Sequence, residues 1–117
     1  MSRLALRLAV ALFALSPASA PAHSLLLAST PPADGTVSEP SAVTLRFNNR
    51  IEKKLSRIRL VPAQGETRAL PLRGEGAVDT LEALLPKLAA GRYRIEWRVL
   101  STDGHVVSGA FAFSVSQ

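Results

Sequence analysis

Apolar and polar residues alternate most cleanly in the last third of the chain. Tyr93, Ile95, Trp97 and Val99 alternate with Arg92, Arg94, Glu96 and Arg98, and Phe111, Phe113 and Val115 alternate with Ala110, Ala112 and Ser114. A period of two is that of a half-buried strand. The two runs predict an antiparallel hairpin whose tip lies within residues 100–108. Earlier, Val43, Leu45 and Phe47 alternate with Thr44 and Arg46, and Ile58 and Leu60 alternate less cleanly with Arg57 and Arg59. Residues 24–28 read as a first strand, residues 30–35 as a turn rich in Pro, Asp and Gly, and Gly65 as a turn before a further strand at 67–72. Leu81, Leu84, Leu85 and Leu88 have helical spacing, but Pro86 would break a helix interior. Residues 80–88 are therefore read as a strand running into a tight turn that ends at Gly91. Trp97 and Tyr93 are assigned to the core. About seven short strands separated by turns predict an all-β fold, a small two-sheet antiparallel sandwich.

The N-terminal pattern is different. Arg3 and Arg7 precede a short apolar run at residues 8–15, followed by small residues from Ser16 to Ala22. This is the pattern of a secretory signal peptide, and the run is too short to span a bilayer. Two A-x-A sites compete. Cleavage after Ala20 would leave Pro21 first, and proline lacks the backbone N–H expected just beyond a scissile bond. Cleavage after Ala22 is therefore the better reading: residues 1–22 form the leader and residues 23–117 the working domain, exported and soluble.

Removing 22 of the 117 residues leaves 95, enough for one small domain. Arg3 and Arg7 leave with the leader, so 14 Lys and Arg fall to 12 against 9 acids, a formal charge of +3. The basic residues from Arg46 to Arg59 are read mainly as a solvated strand face and loop. Export and the scarcity of stacking aromatics argue against nucleic acid; a weak attraction to anionic lipid or an acidic partner is left open. The chain has no cysteine, and its one methionine is Met1. The exported domain therefore carries no soft sulfur ligand, and a Cu(I) methionine site is excluded.

The candidate chemistry lies in the only two histidines, His23 and His105. Cleavage after Ala22 makes His23 the first residue, offering its α-amine and its imidazole Nδ1. With Asp103 and His105 these make three nitrogens and one oxygen, a donor set that suits tetragonal Cu(II). Gly104 between Asp103 and His105 relieves backbone limits, so a tight loop can aim both side chains inward. The amine, with a reference pKa of about 8, must lose its proton, so copper binding should weaken as pH falls. Each residue alone is weak: Asp-Gly is a common turn dipeptide, and a histidine after a leader is ordinarily a surface residue. The conjunction carries the reading.

With these residues in place, the chain resembles the CopC family of exported copper-binding proteins. The resemblance runs from His23-Ser24-Leu25 through Ser29-Thr30-Pro31-Pro32-Ala33-Asp34-Gly35, Pro40 and Val43-Thr44-Leu45-Arg46-Phe47. Its most specific part is Tyr93-Arg94-Ile95-Glu96-Trp97-Arg98-Val99-Leu100-Ser101-Thr102-Asp103-Gly104-His105, followed by Gly109 and Phe111-Ala112-Phe113-Ser114-Val115. The resemblance implies a Greek-key β-sandwich of cupredoxin-like or immunoglobulin-like character. It also implies periplasmic copper homeostasis or resistance, with one Cu(II) per chain held by His23, Asp103 and His105 in a monomer, beside a CopD-like inner-membrane protein. Two departures stand out. Asn49 occupies a position where some relatives carry a glutamate near the copper; an amide can hydrogen-bond there but is a poor ligand. Val106 stands where many relatives have proline.

Three functions compete. A Cu(II) carrier or buffer, not an enzyme, fits four protein donors filling one plane. A copper monooxygenase would also use an N-terminal histidine, but needs open coordination positions and aromatics to hold a polysaccharide. A metal-free immunoglobulin-like interaction module would be indifferent to loss of Asp103 and His105.

Overall fold

The computed structural model describes residues 25–117. The leader at 1–22 and His23 lie outside the described residues, as does Ser24. Nine strands form two sheets. The four-stranded sheet contains β1 (Leu26–Thr30), β3 (Ala42–Phe47), β7 (Thr80–Leu84) and β6 (Leu72–Arg73), in the spatial order β1-β3-β7-β6. The five-stranded sheet contains β2 (Thr36–Ser38), β9 (Val106–Ser116), β8 (Gly91–Leu100), β4 (Arg57–Pro62) and β5 (Arg68–Ala69), in the order β2-β9-β8-β4-β5. The expected all-β sandwich is the observed architecture.

The core follows from the alternation. Val43, Leu45 and Phe47 of β3 and Leu81 and Ala83 of β7 face Ile58 and Leu60 of β4, Ile95, Trp97 and Val99 of β8, and Phe113 and Val115 of β9. All are buried, and the charged residues between them point outward. Burial on this pattern is what fixes register, because a one-residue slip would turn every apolar side chain to solvent. Phe47 meets Trp97 edge to face, with ring centroids 5.3 Å apart. Trp97 lies across the inner face of Gly109, its cross-strand partner. A Cβ at Gly109 would approach the indole ring to 2.1 Å, so a glycine is required there.

Several boundaries differ from expectation. The first strand begins at Leu26, two residues later than residue 24. The stretch 67–72 is not one strand. It is divided between β5 in one sheet and β6 in the other, with buried Leu70 and exposed Pro71 between them. Proline donates no ladder bond, and here the chain crosses from sheet to sheet with Leu70 in the core. The backbone bonds Leu70 N to Ile58 O (2.9 Å) and Leu84 N to Pro71 O (3.0 Å) stitch the crossing to both sheets. After β7, residues 85–90 form an irregular link rather than a tight turn. β2 was not expected at all. Its three residues carry one apolar side chain, too few to show a period. It pairs parallel to β9, the one parallel pairing among the described residues.

The feature that positions the candidate site is the β8–β9 hairpin. Its ladder runs from Gly91↔Val115 to Leu100↔Val106. The strands therefore extend further toward the tip than the alternation indicated, and only residues 101–105 remain as loop.

Candidate metal centre

Those five residues form a tight, internally bonded turn. Gly104 N donates to Ser101 O (2.9 Å), and Ser101 N donates to His105 O (2.9 Å). Gly104 has φ +88°, a conformation that favours glycine. This is the arrangement of a three-residue hairpin loop closed by a left-handed glycine. Asp103 then caps the turn: its Oδ1 accepts from the backbone N–H of His105 (3.1 Å), while its Oδ2 lies 3.2 Å from His105 Nδ1. The sequence reading of Asp103 and His105 as neighbours on one hairpin tip agrees with this geometry, and both are exposed.

The environment keeps Asp103 ionised. The backbone N–H of His105 is the largest influence holding its carboxyl below the usual carboxylate value. Partial desolvation opposes this, and the His105 side chain and the Ser101 hydroxyl reinforce it. A carboxylate that already accepts hydrogen bonds in its charged form is ready to act as an anionic ligand.

Distance can test whether the pair suits a metal. Two donors at adjacent corners of a square plane with bonds of about 2.0–2.2 Å lie roughly 2.8–3.1 Å apart. The observed 3.2 Å between Asp103 Oδ2 and His105 Nδ1 is close to that separation. The two side chains fit as half of a donor set. Among the described residues, no group of three or more His, Cys, Asp or Glu could hold a metal ion. The remaining donors would have to come from elsewhere, and His23 lies outside the described residues.

The structure does describe the approach to that end of the chain. Leu25 N donates to Asn48 Oδ1 (2.7 Å), and Asn48 N donates to Leu25 O (3.0 Å). Asn48 thus clamps the backbone two residues after His23. The segment that follows is bonded to the hairpin tip: Thr102 N donates to Arg50 O (3.2 Å), Ile51 bridges Ser101, and Glu52 N donates to Leu100 O (2.8 Å). Ser56 Oγ accepts from Leu100 N (3.2 Å) and donates to Glu52 O (2.8 Å), closing the brace. Segment 48–56 is therefore fastened to Leu25 on one side and to the loop of Asp103 and His105 on the other.

Sequence reasoning missed this brace. It singled out Asn49, which is exposed; the amide that holds the N-terminal strand is its neighbour, Asn48. An amide just past the end of a strand was the only available signal, and nothing distinguished the two asparagines. Trp97 and Tyr93 take the packing roles expected of them. Trp97 is 8% exposed, and Tyr93 stacks on Phe113 while its hydroxyl donates to Ala89 O (2.7 Å).

Comparison with known proteins agrees with this architecture. The family model described as the CopC domain matches residues 26–116. Copper resistance protein C of Xanthomonas campestris pv. juglandis is 34% identical over 112 residues, covering 86% of each chain. Among solved structures, CopC from Methylosinus trichosporium OB3b superposes with a TM-score of 0.73 at 34% identity, over 80% of this chain and 94% of that one. PcoC from Escherichia coli, a methionine-rich copper resistance protein, gives a TM-score of 0.71 at 27% identity, over 81% of this chain and all of that one (100%). Its methionine richness has no counterpart here, where Met1 is the one methionine. By sequence and by fold, the chain belongs to the CopC family.

Proposed function

We propose that this protein is an exported Cu(II) carrier or buffer serving copper homeostasis or resistance, with copper as its cargo. The observation that carries the reading is the Asp103–His105 pair. It is held 3.2 Å apart on a tip whose brace also grips Leu25. The names of the relatives, copper resistance proteins, point the same way. Cleavage after Ala22 would free the α-amine of His23 and bring three nitrogens together with one carboxylate. One Cu(II) per chain is then held by His23, Asp103 and His105.

The chain's own residues divide the work. Asp103 supplies negative charge and stays ionised because the His105 backbone N–H already stabilises its carboxylate. His105 supplies an imidazole nitrogen beside that carboxylate. Asn48 delivers the N-terminal strand to the tip. Four protein donors leave the plane filled, which suits storage and transfer rather than oxidation of a substrate. With no thioether in the exported domain, the site is selective for the oxidised ion. The protein works as a monomer in the periplasm and hands copper to a CopD-like inner-membrane protein.

Calorimetric titration with Cu(II) of the chain from His23 onward, and of its Asp103→Ala and His105→Ala variants, tests this. Changes to groups that merely support a ligand cost about 10–100-fold in metal affinity. Losing a ligand should therefore cost on the order of 100-fold or more in each variant. Unchanged affinity in both variants would contradict the assignment.

A further inference from the structure

The outer face of the five-stranded sheet has a charge distribution that the metal centre does not use. Arg92, Arg94 and Arg98 of β8 point outward beside Arg57 and Arg59 of β4. The single acid among them is Glu96. The five arginines and Glu96 sum to +4; with Asp34, which pairs with Arg92, the face carries +3, the whole formal charge of the chain from residue 23 onward, so the remainder sums to about 0. Arg59 pairs with Glu96 (3.4 Å) and Arg92 with Asp34 (3.7 Å). Among the described residues, no carboxylate lies within ion-pair distance of Arg57, Arg94 or Arg98. Arg57 and Arg98 sit directly opposite each other in the ladder. Like charges in that relation are destabilising, so folding alone gives no reason for them.

The shape of the face matches its charge. Side chains two residues apart on a strand are separated by about 6.7 Å and neighbouring strands by about 4.8 Å, so the arginines form a close-spaced grid. On the adjoining strand β9 the outward residues are Ser108, Ala110, Ala112 and Ser114, too small to hinder close approach. A shallow depression of about 200 Å³ lies among Arg57, Arg59, Glu96, Arg98 and Ser108, and Trp97 and Gly109 complete its lining. Guanidinium groups bind phosphate oxygens through paired N–H donors.

We propose that this arginine face is a docking surface for the phosphate headgroups of an anionic lipid membrane. A specific protein interface is ordinarily anchored by buried aromatic or large apolar residues near its centre, and no aromatic side chain points outward here. A charged lipid surface requires no such anchor. At the tip end of the face, Val106 is 50% exposed beside its ladder partner Leu100, so the apolar contribution lies at the rim. Docking in this manner lays the β8–β9 hairpin flat on the bilayer. The loop of Asp103 and His105 is then presented along the membrane surface, where an embedded partner can reach it. The proposal is independent of the metal reading and holds whether or not copper binds.

The test is sedimentation of the chain from His23 onward, which contains all nine strands, with vesicles of phosphatidylethanolamine and phosphatidylglycerol. Vesicles of phosphatidylcholine alone serve as control. Each arginine near an anionic surface contributes roughly five-fold in partitioning. The double variant Arg94→Gln and Arg98→Gln should therefore bind roughly 25-fold more weakly. The variant Arg46→Gln and Arg73→Gln removes the same charge from the other sheet and should lose far less. Binding should also weaken as salt is raised to about 0.15 M. Equal losses in the two double variants, or equal binding to both kinds of vesicle, would overturn the proposal. Binding to polyglutamate as tight as to the anionic vesicles would assign the face to an acidic polypeptide instead, and would also overturn it.

Discussion

The two ends of the sandwich are built from the same strands and have opposite characters. At one end the β8–β9 hairpin closes through Ser101, Asp103, Gly104 and His105, and backbone bonds from segment 48–56 converge on it. At the other, Pro40, Leu85, Pro86, Leu88 and Val115 line an open groove of about 520 Å³. The larger concavity therefore lies far from the titratable pair. Small-molecule sites favour concave apolar pockets, but a metal ion needs donors a few ångströms apart on a backbone that holds them still. A tight, braced turn can satisfy that need on a convex surface. Donor spacing, rather than cavity size, locates the candidate centre in this protein.

The difference can be probed first through stability. Trp97 packs against Phe47 and over Gly109 beneath the tip, whereas Tyr93 packs on Phe113 toward the groove and is only half-buried. Trp97→Ala should cost about 3–5 kcal/mol, and Tyr93→Ala clearly less. Urea unfolding monitored by circular dichroism measures both. Equal costs would mean that the two ends are equally well packed.

A smaller effect is expected at the brace. Asn48→Ala removes the amide that accepts from Leu25 N, and should cost about 1 kcal/mol of stability. If the clamp positions His23, Cu(II) affinity should fall roughly 10-fold, while Leu88→Ser in the distant groove leaves it unchanged. Calorimetric titration separates the two variants. Equal affinity losses would show that the effect comes from general destabilisation.

The smallest effect concerns pH. Asp103 has its carboxyl held below the ordinary value of 3.8, first by the His105 backbone N–H. Its contribution to the turn is present above the unfolded value and is lost as pH falls through the lowered folded value. Between about pH 5 and 8, Asp103 therefore stays charged, and the pH dependence of copper binding comes from protons competing for the nitrogen donors. Asp103→Asn should lower the affinity while leaving the slope of log affinity against pH unchanged across that range. A changed slope would show that Asp103 titrates there.

Parts of the molecule were legible in the sequence because one physical cause dominated them. β8 and β9 each have one face buried and one exposed, so hydrophobicity alone reveals the strands. Asp103-Gly104 marks the tip because glycine tolerates the left-handed backbone at that point. β2 was hidden because three residues cannot display a period, and the stretch 67–72 because Leu70 is buried by a sheet-to-sheet crossing rather than by alternation. The brace was hidden for another reason. Arg50 and Glu52 act through backbone groups that every residue type possesses, so their side chains carry no record of the role. Asp103 and His105 could be found by residue type and spacing, whereas the clamp on Leu25 needed coordinates.

The central claim is that an N-terminal chelate at His23 completes the half-site of Asp103 and His105. The most direct measurement is EPR-monitored Cu(II) titration of two proteins, one starting at His23 and one carrying a single extra alanine before it. The account predicts tight one-to-one binding with a nitrogen-rich tetragonal spectrum in the first, and loss or marked alteration of both in the second. Identical spectra and affinities would show that the amine is not a ligand and would contradict the account.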